Sequence, residues 1–220
     1  MRERVLLREV SFELDSGELV AVWGVRRSGR TTLLRVAAGI EPPDAGTVRF
    51  AGRELARAGG DLLGRQIAFC PHGCGPSESS SVLDELVGAQ LARGIPHASA
   101  HGRAWATLER VGAQDCAQYS TRELDSAECV RVSLARGLLS DPSLLVIDEP
   151  INGIDLLERD SILALLRSLA DDGTALLMST GDAAALAVAD RALSLSEGEL
   201  RGTLNPELAC VVPLPRRASA

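Results

Sequence analysis

Short apolar runs alternate along this chain with stretches whose apolar residues recur every three or four positions, and the alternation predicts strands and helices in turn. Residues Glu18 to Trp23 (ELVAVW) form a β-rich run that stops at Gly24. The loop GVRRSGR follows, and Thr31 to Ala38 has the pattern of a helix, closed by Gly39 and followed by Pro42 and Pro43. Short strands are expected at Thr47 to Phe50 and Gln66 to Cys70.

Ser81 opens a further helix, with Asp84 three residues on in a capping-box arrangement. Another is expected from about Ser99 to Val111, stopped by Gly112. Beyond Asp125 the chain returns to a helix and then to the apolar run SLLVI, which lies between Asp141-Pro142 and Asp148-Glu149-Pro150. Such a run suits a strand buried on both faces of a parallel sheet. Helix Leu156 to Ala170, strand Ala175 to Ser179, a short helix near Ala183 to Ala189 and strand Ala192 to Ser196 complete an α/β alternation without internal repeats. One domain over residues 1–220 is expected, with core parts 1–76 and 124–220 and a helical insertion over 77–123.

Composition narrows the class: 45% hydrophobic and 24% charged residues suit one sizeable core. The net charge of −7 gives no general attraction for a polyanion. Basic residues are scattered apart from Arg26, Arg27 and Arg30 and the tail pair Arg216 and Arg217, so nucleic acid is not an expected partner. The start of the chain, MRERVLLREVSFELDSGE, lacks the apolar stretch of a signal peptide or membrane span. A cytosolic protein is expected, and the odd cysteine count (Cys70, Cys74, Cys116, Cys129, Cys210) suits a reducing compartment. No lysine occurs, and all 23 residues in the Lys+Arg count are arginine.

The loop after the first strand carries the main chemistry. Gly24, Ser28, Gly29, Arg30 and Thr31 fit the spacing G-x-x-x-x-G-K-[ST], with Arg30 at the lysine and Thr32 following. In that motif backbone N–H groups and a helix N-terminus cradle phosphates, and the hydroxyl holds Mg²⁺. An arginine keeps the charge but is a longer planar fork than an ammonium. Altered phosphate affinity is one reading, and a general replacement of lysine by arginine with little consequence is the other.

Downstream, Leu124 to Leu138 (LDSAECVRVSLARGL) resembles the signature segment and following helix of the ATP-binding cassettes of ABC transporters. Leu144 to Pro150 resembles their Walker B strand, and Asn152-Gly153-Ile154-Asp155 their D-loop. With the glycine loop, these motifs span most of the chain in the family's order. The resemblance implies an α/β P-loop NTPase fold: a RecA-like core with an antiparallel β subdomain and an inserted α-helical subdomain. It further implies ATP and Mg²⁺ as cofactors, with Thr31 and Asp148 at the metal and Glu149 orienting the attacking water.

Several positions depart from the family pattern. The signature's serine, two glycines and glutamine are Asp125, Ser126, Ala127 and Glu128, and Asp125 with Glu128 forms a capping box that offers carboxylates where the family offers donors to a phosphate. His72 stands at the Q-loop glutamine and Gly181 at the switch histidine. Imidazole prefers softer metals than Mg²⁺. The adenine-stacking aromatic is missing; Phe12, the first aromatic, falls where a core strand residue is expected.

The resemblance therefore implies an ATP-binding subunit with weak or absent hydrolysis. It would pair with a second nucleotide-binding domain and dock on membrane-spanning subunits at the inner face of the cell membrane. A slow ATPase built on Thr31, Asp148 and Glu149, or a structural subunit that binds no nucleotide, are the alternatives. Cys70, His72 and Cys74 form C-x-H-x-C, a spacing short of a full zinc ligand set. His97 and His101 are expected at a solvated helix start.

Overall fold

A computed structural model describes residues 6–55, 62–75 and 81–204, with no side-chain description for residues 202–204. Cys210, Arg216, Arg217, the first five residues and the start of the expected insertion lie outside the described residues. The described residues include eight strands: β1 (Leu19–Trp23), β2 (Arg49–Phe50), β3 (Arg53–Glu54), β4 (Ile67–Cys70), β5 (Leu144–Asp148), β6 (Ala175–Thr180), β7 (Arg191–Ser196) and β8 (Glu199–Leu204). The α-helices lying within the described residues are α1 (Arg30–Ala37), α2 (Val82–Leu91), α3 (His97–Val111), α4 (Ser126–Leu138), α5 (Leu156–Asp171) and α6 (Ala184–Ala187).

Six strands form one sheet in the order β4-β5-β6-β1-β7-β8. All neighbours are parallel except β7 and β8, which pair antiparallel at the edge. The remaining antiparallel pair is the short hairpin of β2 and β3. This is a mixed α/β sheet covered on both faces, and the strand residues explain why. Along β1, Leu19 and Ala21 enter the core beneath α2 to α5, whereas Val20 and Val22 pack with Leu33 and Leu34 of α1. Successive side chains of a strand point to opposite faces, so a continuous apolar run needs cover on both.

Local chemistry sets the helix ends. Ser81 caps α2 by accepting from the Asp84 N–H at 3.1 Å, and its hydroxyl donates to the Asp84 carboxylate at 2.8 Å. Helix α3 starts at His97, two residues before the expected Ser99, because Pro96 can occupy the cap with extended backbone. His97 and His101 are exposed, with ring centroids 6.5 Å apart. The expected strand around Phe12 does not form: residues 9–18 carry no strand, and Phe12 packs half-buried against the core beside α1.

Candidate functional site

Four parallel strands deliver the sequence-selected residues to one edge of the sheet. Strand β1 runs into the loop 24–29, β4 leads to His72, β5 ends at Asp148 and β6 leads to Gly181. Because β5, β6 and β1 are adjacent, the acidic pair, Gly181 and the glycine loop become neighbours at the carboxyl ends of the strands. That edge is where open α/β sheets hold ligands.

The loop's glycines answer physical demands. A Cβ on Gly24 would lie 2.5 Å from the Leu195 carbonyl oxygen and 2.7 Å from Ser28 Oγ, closer than a side chain tolerates. Gly29 adopts φ 104°, which leads the chain directly into α1 and which L side chains rarely reach. Arg30, the first residue of that helix, is only 7% exposed.

Three contacts join α1, β5 and β6. Thr31 Oγ1 donates to Asp148 Oδ2 at 2.9 Å. Ser179 Oγ donates to Asp148 Oδ1 and accepts from the Glu149 backbone N–H at 3.0 Å. Arg30 Nη2 donates to Glu149 Oε1 in an ion pair that crosses the mouth of the loop. Glu149 itself sits at φ 51°, a left-handed conformation uncommon for a residue with a side chain. The Arg30 Nη1 and Ser28 Oγ atoms are buried without a hydrogen-bond partner. Two orphaned groups in one loop, both able to donate, are costly unless a ligand supplies acceptors.

Beside them opens a cavity of about 770 Å³, lined by Leu6, Arg26, Arg27, Gly29, Arg30, Thr31, Thr32 and Glu149. Its volume lies in the range of small-molecule sites, and its charged lining residues are the cations Arg26, Arg27 and Arg30 and the anion Glu149.

Other selected residues lie outside the lining of this cavity. Asp125 and Glu128 form the full capping box of α4, each side chain accepting from the other's N–H at 2.8 Å. Ser126 is exposed and Ala127 buried at the same helix start. Asp155 caps α5 by accepting from the N–H groups of Leu157 and Glu158 at 3.0 and 3.1 Å. His72 is exposed. The thiols flanking it turn away: Cys70 Sγ donates to the Ser133 carbonyl at 3.2 Å and Cys74 Sγ to that of Cys129 at 3.6 Å. Among the described residues no cluster of three or more His, Cys, Asp or Glu side chains could hold a metal ion.

Two positioning residues escaped the sequence reading. Ser179 was legible only as the end of a strand. Arg136, not singled out within the segment Leu124 to Leu138, donates to the Cys74 carbonyl and to Glu85 Oε2 at 2.8 Å, tying α4 to the segment after β4 and to α2.

A largely parallel sheet with a glycine loop leading into a helix, and a buried aspartate plus glutamate at the end of β5, define a P-loop NTPase fold. The family model described as "ABC transporter" matches residues 7–152, and the chain belongs to that family. It is similar to the lipoprotein-releasing system ATP-binding protein LolD of Chromohalobacter salexigens, 36% identical over 200 residues covering 89% of this chain and 84% of LolD. The pyoverdine export ATP-binding/permease protein PvdT of Pseudomonas entomophila is 30% identical over 89% of this chain, which spans only 30% of that longer protein. The fold is shared with a dimeric ATP-binding cassette in a post-hydrolysis state bound to ADP and Pi, with a TM-score of 0.82 and 20% identity over 91% and 90% of the two chains.

Proposed function

We propose that this chain is the ATP-binding subunit of an ABC transporter, binding ATP in the cavity over the glycine loop and hydrolysing it weakly or not at all. The observation that carries the reading is the ion pair of Arg30 with Glu149 beside orphaned donors. The unpartnered Nη1 and the Ser28 hydroxyl supply binding capacity for phosphate oxygens, with Arg26 and Arg27 adding positive charge at the mouth.

The Thr31 hydroxyl and the Asp148 carboxylate are hard oxygen donors in contact, a donor set that suits Mg²⁺. Mg²⁺ bound there would neutralise charge on the phosphates. Glu149 is the group expected to orient a water, but its carboxylate is engaged by Arg30. Moving the guanidinium wholly to phosphate would release Glu149; sharing it would keep the carboxylate bonded to Arg30 rather than to a water. At the start of α4, the capping box satisfies N–H groups internally and presents carboxylates. That favours a weak contribution to a phosphate held by a second cassette.

Pairing with a second cassette is supported by dimeric relatives of the same fold and by apolar side chains left outside the core, Val25 (72% exposed), Leu156 (66%) and Leu157 (85%). Docking on membrane-spanning subunits, at the inner face of the cell membrane, is supported by the family and by relatives named as ATP-binding/permease proteins. The segment 77–123 would form a helical subdomain for that contact. Among the described residues no helix is long and apolar enough to cross a membrane.

A slow ATPase is the second reading, favoured by the intact contacts of Asp148 with Thr31 and Ser179. Phosphate release from ATP by the purified chain, beside its Glu149→Gln variant, separates the two. Equal rates support the proposal; a natural rate clearly above the variant's supports the ATPase.

A further inference from the structure

Arg30 is more than nine-tenths buried and one of its guanidinium nitrogens lacks a partner. The heavy atoms nearest a Cβ placed on Gly181 are the two terminal nitrogens of that same guanidinium, Nη1 at 3.5 Å and Nη2 at 3.8 Å. The guanidinium therefore lies in van der Waals contact with the point where a side chain at 181 would begin. A methyl group there makes ordinary contact, whereas a longer side chain directed the same way meets the arginine.

Backbone geometry does not demand the glycine. Gly181 is outside the positive-φ glycines, so an L residue can adopt its conformation. The loop around it is fixed by neighbours: the Asp182 N–H donates to Thr180 Oγ1 at 3.0 Å, and Asp182 Oδ1 accepts from the Ala184 N–H at 2.8 Å. What the lack of a longer side chain supplies is space. The structure uses that space for a planar fork longer than an ammonium, lying on Glu149 with Nη1 unpartnered.

We propose that Arg30 and Gly181 are a matched pair, in which the missing side chain at 181 gives the guanidinium room to hold Glu149 and turn Nη1 to a phosphate oxygen. Residue 181 is then a specificity-determining position for the cation at 30. A large side chain at 181 is incompatible with arginine but compatible with a slimmer lysine. The phosphate part of this statement rests on the nucleotide-binding reading above; the packing part does not.

The test compares the natural chain with Gly181→Ala, Gly181→His, Arg30→Lys and the double variant Arg30→Lys/Gly181→His. Affinity for MgATP is read by calorimetry, and the midpoint of thermal unfolding is read without nucleotide. Gly181→Ala is expected to stay within about twofold of the natural affinity, since the methyl fits. Gly181→His is expected to weaken binding about tenfold or more in the arginine background and less than about threefold in the lysine background. Its drop in unfolding midpoint is expected in the arginine background alone. Equal effects in both backgrounds, or none in either, would overturn the pairing. If no variant binds MgATP, the nucleotide reading fails, and the unfolding midpoints still decide the pairing: a drop confined to the arginine background upholds it, and an equal drop overturns it.

Discussion

The Ser179 hydroxyl at the end of β6 donates to the Asp148 carboxylate at the end of β5, and both residues are buried. The same hydroxyl accepts from the Glu149 N–H, so a single oxygen holds the acidic pair in register across two strands. It supports Glu149 in a left-handed conformation that most side chains avoid.

Ser179→Ala removes that oxygen and leaves a buried carboxylate oxygen and a backbone N–H short of a partner. We expect a loss of about 1–3 kcal/mol of stability, measured as a lower midpoint in urea unfolding at unchanged slope. A change smaller than about 0.5 kcal/mol, the usual scatter of surface substitutions, would mean that water or a shifted side chain replaces the hydroxyl.

Gly24→Ala should be destabilising even though alanine is a mild substitution. Its methyl must displace the Leu195 carbonyl, which belongs to β7. Overpacking of this kind costs about 1–3 kcal/mol, and here it also widens the loop. The expected result is a lower unfolding midpoint together with weaker MgATP affinity; an unchanged midpoint would show that the loop relaxes without strain.

Asp190 links stability to pH. Partial burial raises its carboxyl pKa, but hydrogen bonds from Arg167 and from the Leu19 N–H, each 2.8 Å long, outweigh it, and the net shift is downward. A carboxylate depressed in the folded state stabilises the fold above the unfolded pKa, and the contribution disappears as pH falls through the folded value. Stability should therefore decline as pH drops below the ordinary aspartate value of 3.8. Asp190→Asn should flatten that part of the acid limb in urea titrations, and an unchanged limb would assign the loss to other groups.

The cysteines give a chemical readout of the core. Burial pushes the Cys70 thiol up to about 12, with the hydrogen bond to Ser133 and the charge of Arg136 acting the other way. The thiolate is the reactive form, so Cys70 should resist alkylation near neutral pH until the protein unfolds. Rapid alkylation of Cys70 in the folded chain, located by peptide mapping, would mean that the strand β4 opens locally.

Much of this architecture was legible in the residues. The apolar run SLLVI suited a strand covered on both faces, and β5 (Leu144–Asp148) lies second in the sheet with core on each side. Asp125 and Glu128 three apart announced a capping box, and both of its hydrogen bonds form. Other features were not legible because they depend on contacts across the chain. The bridge from Ser179 to Asp148 joins residues 31 positions apart, and the contact of Arg30 with Glu149 joins residues 119 positions apart. Neither leaves a local spacing. Arg30 illustrates the difference: its substitution for lysine was visible at once, whereas its contact with Gly181 needed strands β1 and β6 to be neighbours.

The most direct test of the account is equilibrium binding of MgATP to the purified natural chain by calorimetry. The account predicts saturable binding in the micromolar to low millimolar range, because the loop leaves Arg30 Nη1 and Ser28 Oγ unpartnered for phosphate oxygens. No binding in the natural chain, with binding recovered in Arg30→Lys, would contradict it: the arginine loop would then have lost its ligand, and the subunit would serve its assembly as a scaffold.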